Sequence, residues 1–171
     1  MIAYFYLTDK HQPEEVVCSL VDQLSAQCES TPDPLVKLHD RCQDSHRQPT
    51  IKELMATLQL IFQAFSHVYV VLDALDECSE RMKLLDLIKE IMSWNLEKLH
   101  FLVTSRKEQV FIDHLQPLAP CTFDVQTLIL EDIRTYIQKT LQHDVQFIKK
   151  KWLPKVKKEI ESTLIEQADG M

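Results

Sequence analysis

Apolar and polar positions along this chain follow two rhythms, and each predicts an element. Residues 2–7 (I-A-Y-F-Y-L) form a short aromatic run that reads as a buried strand. A helix is predicted from Pro13, because proline suits a first helical turn and Glu14 and Glu15 suit the positive end of the helix dipole. Val16, Val17, Leu20, Val21 and Leu24 then make one apolar stripe at helical spacing. Residues 30–34 are turn-rich, and 35–42 suit a short helix. Residues 51–65 carry the clearest helical signal: Ile51, Leu54, Met55, Leu58, Ile61, Phe62 and Phe65 keep the three-four repeat without a miss. Thr50 and Glu53 form a T-x-x-E capping box in front of it.

The next run, residues 68–72 (V-Y-V-V-L), is apolar without interruption. Between two helices that pattern predicts a central parallel strand covered on both faces. Ser79 is placed to cap a helix over 80–94 with Met82, Leu85, Ile88 and Met92 inward. Residues 100–103 predict another strand, 107–115 a short helix ended by Pro117, and 121–125 a fourth strand. Helices are then predicted over 131–141 and 154–168, with Trp94 and Tyr136 in or near the core. Strands alternating with helices, followed by helices only, predict an α/β sheet of parallel strands and then an all-helical section. The composition shifts near Thr127.

Composition narrows the chemistry. The 171 residues are 45 % hydrophobic, enough for one sizeable core. A net charge of -7 argues against a general nucleic-acid binder, since phosphate backbones reward basic surfaces. Five scattered cysteines, an odd number with no C-x-x-C pair, argue against a disulfide framework or a zinc site and fit reduced thiols in a cytosolic or nuclear compartment, of which the cytoplasm is the expectation here. No apolar stretch suits a membrane span. The chain has a single glycine, Gly170. A glycine-rich phosphate loop of either common type is therefore impossible within these residues. The lysines at 149–151, 155, 157 and 158 read as a solvated helical face rather than a nucleic-acid or lipid contact.

The sequence V-Y-V-V-L-D-A-L-D-E-C puts Asp73 at the carboxyl end of the central strand, with Asp76 and Glu77 just beyond. Open α/β sheets bind ligands outside the carboxyl ends of their strands. Clustered carboxylates there suit Mg²⁺ shared with substrate phosphates, and a second acid can orient or deprotonate a water. Two acids at the start of a loop can equally just face solvent. The next strand ends F-L-V-T-S-R, which places Thr104, Ser105 and Arg106 at the same edge. A planar guanidinium there matches a terminal phosphate, and small Ala74 allows a close approach to the backbone.

These blocks resemble a known family. D-A-L-D-E-C after an apolar strand resembles the Walker B motif of NACHT domains of the STAND group of P-loop NTPases, most like those of fungal NLR-type receptors and nephrocystin-like N-terminal domains. The strand ending T-S-R resembles their sensor-one strand. Supporting similarity lies in A-Y-F-Y, R-Q-P-T, E-D-I-R-T-Y-I and A-D-G-M.

The resemblance implies a partial P-loop NTPase three-layer fold, with residues 1–127 an incomplete nucleotide-binding core and 128–171 the start of a helical subdomain. It implies that Asp73 holds Mg²⁺ through water, that Glu77, or else Asp76, activates water, and that Arg106 senses the γ-phosphate with Thr104 and Ser105 in support. ATP or GTP is the implied nucleotide. Homo-oligomerisation through the complete module and protein partners through other domains are implied too, as in a signalling NTPase of an NLR-like, repeat-containing parent protein. The family's phosphate loop would precede Ile2, on a strand lying between those at 100–103 and 121–125. The chain therefore reads as a fragment, expected to be inactive and to bind nucleotide weakly or not at all alone. A catalytically dead scaffold or protein-interaction domain is the alternative, and a Mg²⁺-dependent phosphohydrolase without a phosphate loop is a third.

Overall fold

A computed structural model describes residues 1–143 and 152–168. It divides into two compact units, Met1–Pro120 and Cys121–Met171. The first is α/β. Strand β1 (Ile2–Tyr6) leads to α1 (Pro13–Ser25), α2 (Asp33–Asp44) and α3 (Ile51–Ala64). Strand β2 (Val68–Asp73) then runs through a 3₁₀ turn, Leu75–Glu77, to α4 (Arg81–Ser93), β3 (Leu99–Val103) and α5 (Gln109–Leu115). The three strands form one parallel sheet in the order β1-β2-β3. The second unit contains α6 (Val125–His143) and α7 (Pro154–Ala168), packed on each other. In it Ile137 and Leu141 are buried, and Gln138 Nε2 donates to Glu161 at 2.8 Å.

Both crossovers step the same way across the sheet, and right-handed connections of that kind put their helices on one side. The core follows. Ala3 and Leu7, with Val68, Val70 and Leu72, meet the α1 stripe of Val16, Val17, Leu20 and Leu24, and Leu58 and Ile61 of α3 join them. The opposite face is open. Tyr4 is 67 % and Leu102 56 % exposed, and Ile2, Tyr6 and Tyr69 are also exposed. The uninterrupted apolar run of β2 therefore does not mark cover on both faces, because no crossover among the described residues returns the other way.

The outer edge of β1 is closed by side chains. Gln23 in the last turn of α1 and Gln27 just past its end bond the β1 backbone as a neighbouring strand would. The N–H of Ile2 donates to Gln27 Oε1 at 3.1 Å and that of Tyr4 to Gln23 Oε1 at 3.0 Å. The amides return bonds of 2.7 Å each to the Ile2 and Tyr4 carbonyls. Among the described residues no strand pairs with the far side of β3.

Other expectations shift. Residues 121–124 are not a strand: they pair with nothing in the sheet, and α6 starts at Val125. A strand needs a ladder partner for its backbone groups. Ser79 does not cap α4; Glu80 holds that position, its carboxylate accepting from Lys83 at 2.7 Å. The inward set of α4 is Leu84, Leu85, Leu87, Ile88 and Ile91, with Met82 exposed. Its leucine-rich sequence allows two overlapping stripes, and the core takes the one through Leu84 and Ile91. Tyr136 faces solvent, while Trp94 packs edge-on against Phe62 at 5.9 Å. All five cysteines are free, and no described helix is long and apolar enough to cross a membrane. Lys149, Lys150, Lys151 and the terminal residues 169–171 lie outside the described residues.

Candidate functional site

Parallel strands bring their carboxyl ends to one rim, and the register aligns Tyr6 with Asp73 and Leu72 with Val103. The rim is stitched by Thr104. Its N–H donates to the Leu72 carbonyl at 3.0 Å, and its own carbonyl accepts from Leu75 at 2.9 Å. Its hydroxyl accepts from the Ala74 N–H at 3.0 Å and donates a very short bond to Asp73 Oδ1. Thr104 thus fixes the Asp73 carboxylate from the side, and Asp73 itself stays exposed.

Between Asp73 and the acidic turn the chain reverses through Ala74, at φ 58 and ψ 52. Left-handed backbone is costly for a residue with a Cβ. The geometry is held on both sides, by the Thr104 bond to the Ala74 N–H and by Leu75, which is fully buried.

The two acids of the turn differ sharply. Asp76 is 8 % exposed, and both its oxygens are engaged: Oδ1 accepts from the Arg106 backbone N–H at 2.9 Å, and Oδ2 meets Arg106 Nε at 3.2 Å. A buried carboxylate needs such partners. The Arg106 side chain is 80 % exposed. Glu77 is exposed, and the Tyr6 hydroxyl donates to its Oε1 at 3.4 Å. The negative charge of Glu77, with smaller contributions from burial and from Asp73 and Asp76, pushes the Tyr6 phenol above its ordinary value. Ser105 lies exposed beside Arg106.

Two residues of this neighbourhood went unnoticed in the sequence. Tyr6 ends an aromatic run that reads simply as strand. Arg81 sits in the first turn of α4, where no acid accompanies it. A cation there opposes the helix dipole, and that misplacement is the available sequence signal that it serves something outside its helix. Its Nη2 donates to the Asp76 carbonyl at 2.5 Å and its Nη1 to Glu108 at 2.6 Å, with the guanidinium 5.9 Å over the Phe111 ring.

Among the described residues no three His, Cys, Asp or Glu side chains gather into a metal cage. Mg²⁺ does not require one, since it keeps several waters and takes one or two carboxylates plus phosphate oxygens. Asp73, exposed and with Oδ2 clear of the Thr104 bond, fits that role. Asp76 does not, because Arg106 occupies both its oxygens.

Residues 1–106 match the family described as Nephrocystin 3, N-terminal. No curated protein matches the chain. A solved structure, the Orc1 protein of Aeropyrum pernix in complex with DNA, is similar at 15 % identity with a TM-score of 0.43. The similarity covers 84 % of this chain and 41 % of that one, so the chain spans less than half of that protein's length. The family match runs from the first strand to Arg106 and takes in Tyr6, Thr104 and the whole acidic turn. It covers more than half of the sequence, and the chain belongs to the nephrocystin 3 N-terminal family.

Proposed function

We propose that this chain supplies the magnesium side and the γ-phosphate side of a nucleotide-binding module, in a NACHT-type signalling NTPase that uses ATP or GTP. The observation that carries the reading is the rim itself. Asp73, Asp76 and Glu77 lie on one strand end and turn, and Arg106, from the loop after the neighbouring strand, is bonded to Asp76. In this reading Asp73 holds Mg²⁺ through water, and the ion neutralises phosphate charge when bound. Arg106 presents its terminal nitrogens to a terminal phosphate, with Thr104 and Ser105 lining the approach. Glu77 is the acid left to orient a water. Asp76 is assigned to holding Arg106, because its oxygens are already committed. Residues 1–127 act as the nucleotide-binding core and 128–171 as the start of a helical subdomain.

Most phosphate-binding energy in such modules comes from a glycine-rich loop and its lysine. With one glycine, at position 170, these residues contain no such loop. Nucleotide binding by this chain alone is accordingly weak. The same observation favours a second reading, a scaffold that keeps the fold without turnover. Amide NMR during titration with Mg²⁺-ATP separates the two. Weak, saturable shifts confined to residues 73–77 and 104–106, lost in Asp73→Asn, are expected. Shifts scattered over the surface, or none at millimolar nucleotide, would favour the scaffold. Micromolar binding would refute the weak-affinity expectation.

A further inference from the structure

Arg81 lies outside the acidic motif and outside the strand end that carries Arg106, yet it ties one to the other. Its guanidinium spans two acceptors on different segments. One is the Asp76 carbonyl, in the turn after β2, at 2.5 Å; the other is the Glu108 carboxylate, in the loop after β3, at 2.6 Å. Glu108 is itself fixed to the rim, because its N–H donates to the Arg106 carbonyl at 2.9 Å and it occupies the N-cap position of α5. A carboxylate is favoured at that helix end. Asp76 completes the loop by accepting from the Arg106 N–H and Nε. The contacts form a closed ring: Arg106 to Glu108, Glu108 to Arg81, Arg81 to the Asp76 carbonyl, and the Asp76 carboxylate back to Arg106.

We propose that Arg81 is a positioning residue that closes this ring and holds the Arg106 guanidinium facing outward, poised for a phosphate anion. Arg81 pulls the Asp76 backbone from one side while Arg106 takes its side chain from the other, so the turn has one orientation. The planar fork is essential, because a lysine ammonium on a flexible stem cannot hold both acceptors in that geometry. The face of Phe111 supports the guanidinium from α5, a cation–π arrangement. A phosphate meeting Arg106 is then felt at α5 through Glu108. The phosphate is named on the strength of the nucleotide reading above; the ring stands on its own geometry.

The test is amide and arginine side-chain NMR on the full chain in four forms: wild type, Arg81→Ala, Arg81→Lys and Lys83→Ala. Lys83 is the control, a neighbouring cation paired with Glu80 at the surface. Arg81→Ala should make the Arg106 backbone amide exchange about tenfold faster and move its Nε–Hε signal, as expected when charge-assisted bonds are lost. Arg81→Lys should do the same to a smaller extent, and Lys83→Ala should leave both signals in place. Should Arg81→Ala unfold the chain, the lysine variant decides. Wild-type Arg106 signals in both Arg81 variants, or equal loosening in the Lys83 control, would overturn the proposal. Titration with Mg²⁺-pyrophosphate separates it from the nucleotide reading. Loosened Arg106 in the variants with no wild-type response leaves the ring standing without its phosphate. A wild-type response with Arg106 unchanged in the variants removes the ring and leaves the nucleotide reading.

Discussion

Ala74 carries the most consequential backbone torsion of the rim. Its φ of 58 lies in the region that favours glycine, in a chain whose single glycine is at position 170 of the sequence. Ala74→Gly should stabilise the chain by about 0.5–1 kcal/mol, the relief of the left-handed Cβ penalty less the greater freedom of an unfolded glycine. Urea denaturation checks this, and a lower midpoint would show that the Cβ packs more than it strains. His46 and Asn95 adopt the same conformation just past α2 and α4. After α2 the bonds from Arg47 to Cys42 and from His46 to Gln43, 3.1 Å each, complete a Schellman ending. Scarcity of glycine was readable in the sequence; which residues would stand in for it was not, since alanine enters such a turn only where its surroundings hold it, and histidine and asparagine are as common outside such turns. The rim divides likewise. The strand-end acids and Arg106 could be placed from apolar runs followed by charges. The unequal fates of Asp76 and Glu77 could not, because burial is decided by the turn they sit on.

At the scale of elements, α3 was the most legible, and its capping box shows why. Thr50 and Glu53 bond reciprocally, the Thr50 N–H donating to Glu53 at 2.9 Å and the Glu53 N–H to Thr50 Oγ1 at 3.4 Å. Arg47 adds a fork of 2.8 and 2.6 Å to the same carboxylate. The Arg47 bonds, then the Thr50 bonds, hold the Glu53 carboxyl far below the usual carboxylate range. A folded-state value below the unfolded one gives stability that is present above the unfolded pKa, roughly 4.3, and is lost as pH falls towards the folded value. Glu53→Gln should therefore lower the urea midpoint most near neutrality, with the gap to wild type narrowing progressively once pH drops below about 4. A constant gap down to the acid limit would assign the loss to packing instead. The box is legible because it is local. The expected strand at 121–125 failed for the opposite reason: its identity depended on a neighbour in the sheet, and similar residues without that neighbour run on into a helix.

The whole first unit has one dressed face and one bare face. Burial alternates along β1 and β3, but the apolar runs of β1 and β2, read as buried strands, concealed that one face of the sheet meets solvent. Tyr4, Tyr69 and Leu102 lie in adjacent strands on that bare face. Contiguous apolar surface of this kind favours dye binding and self-association. The double variant Tyr4→Lys, Leu102→Lys should reduce binding of a hydrophobic dye severalfold while shifting stability by less than about 1 kcal/mol, as expected for solvent-facing positions. Undiminished dye binding would place the sticky surface elsewhere.

The glutamine pair at the end of α1 gives this unit a direction. With the Ile2 and Tyr4 backbone already satisfied, the sheet can lengthen only beside β3, where the bonding groups of Phe101 and Val103 point outward by the alternation of a parallel ladder. Any strand that joins there in the common direction delivers its own carboxyl end, and whatever loop follows it, to the doorstep of Asp73 and Arg106.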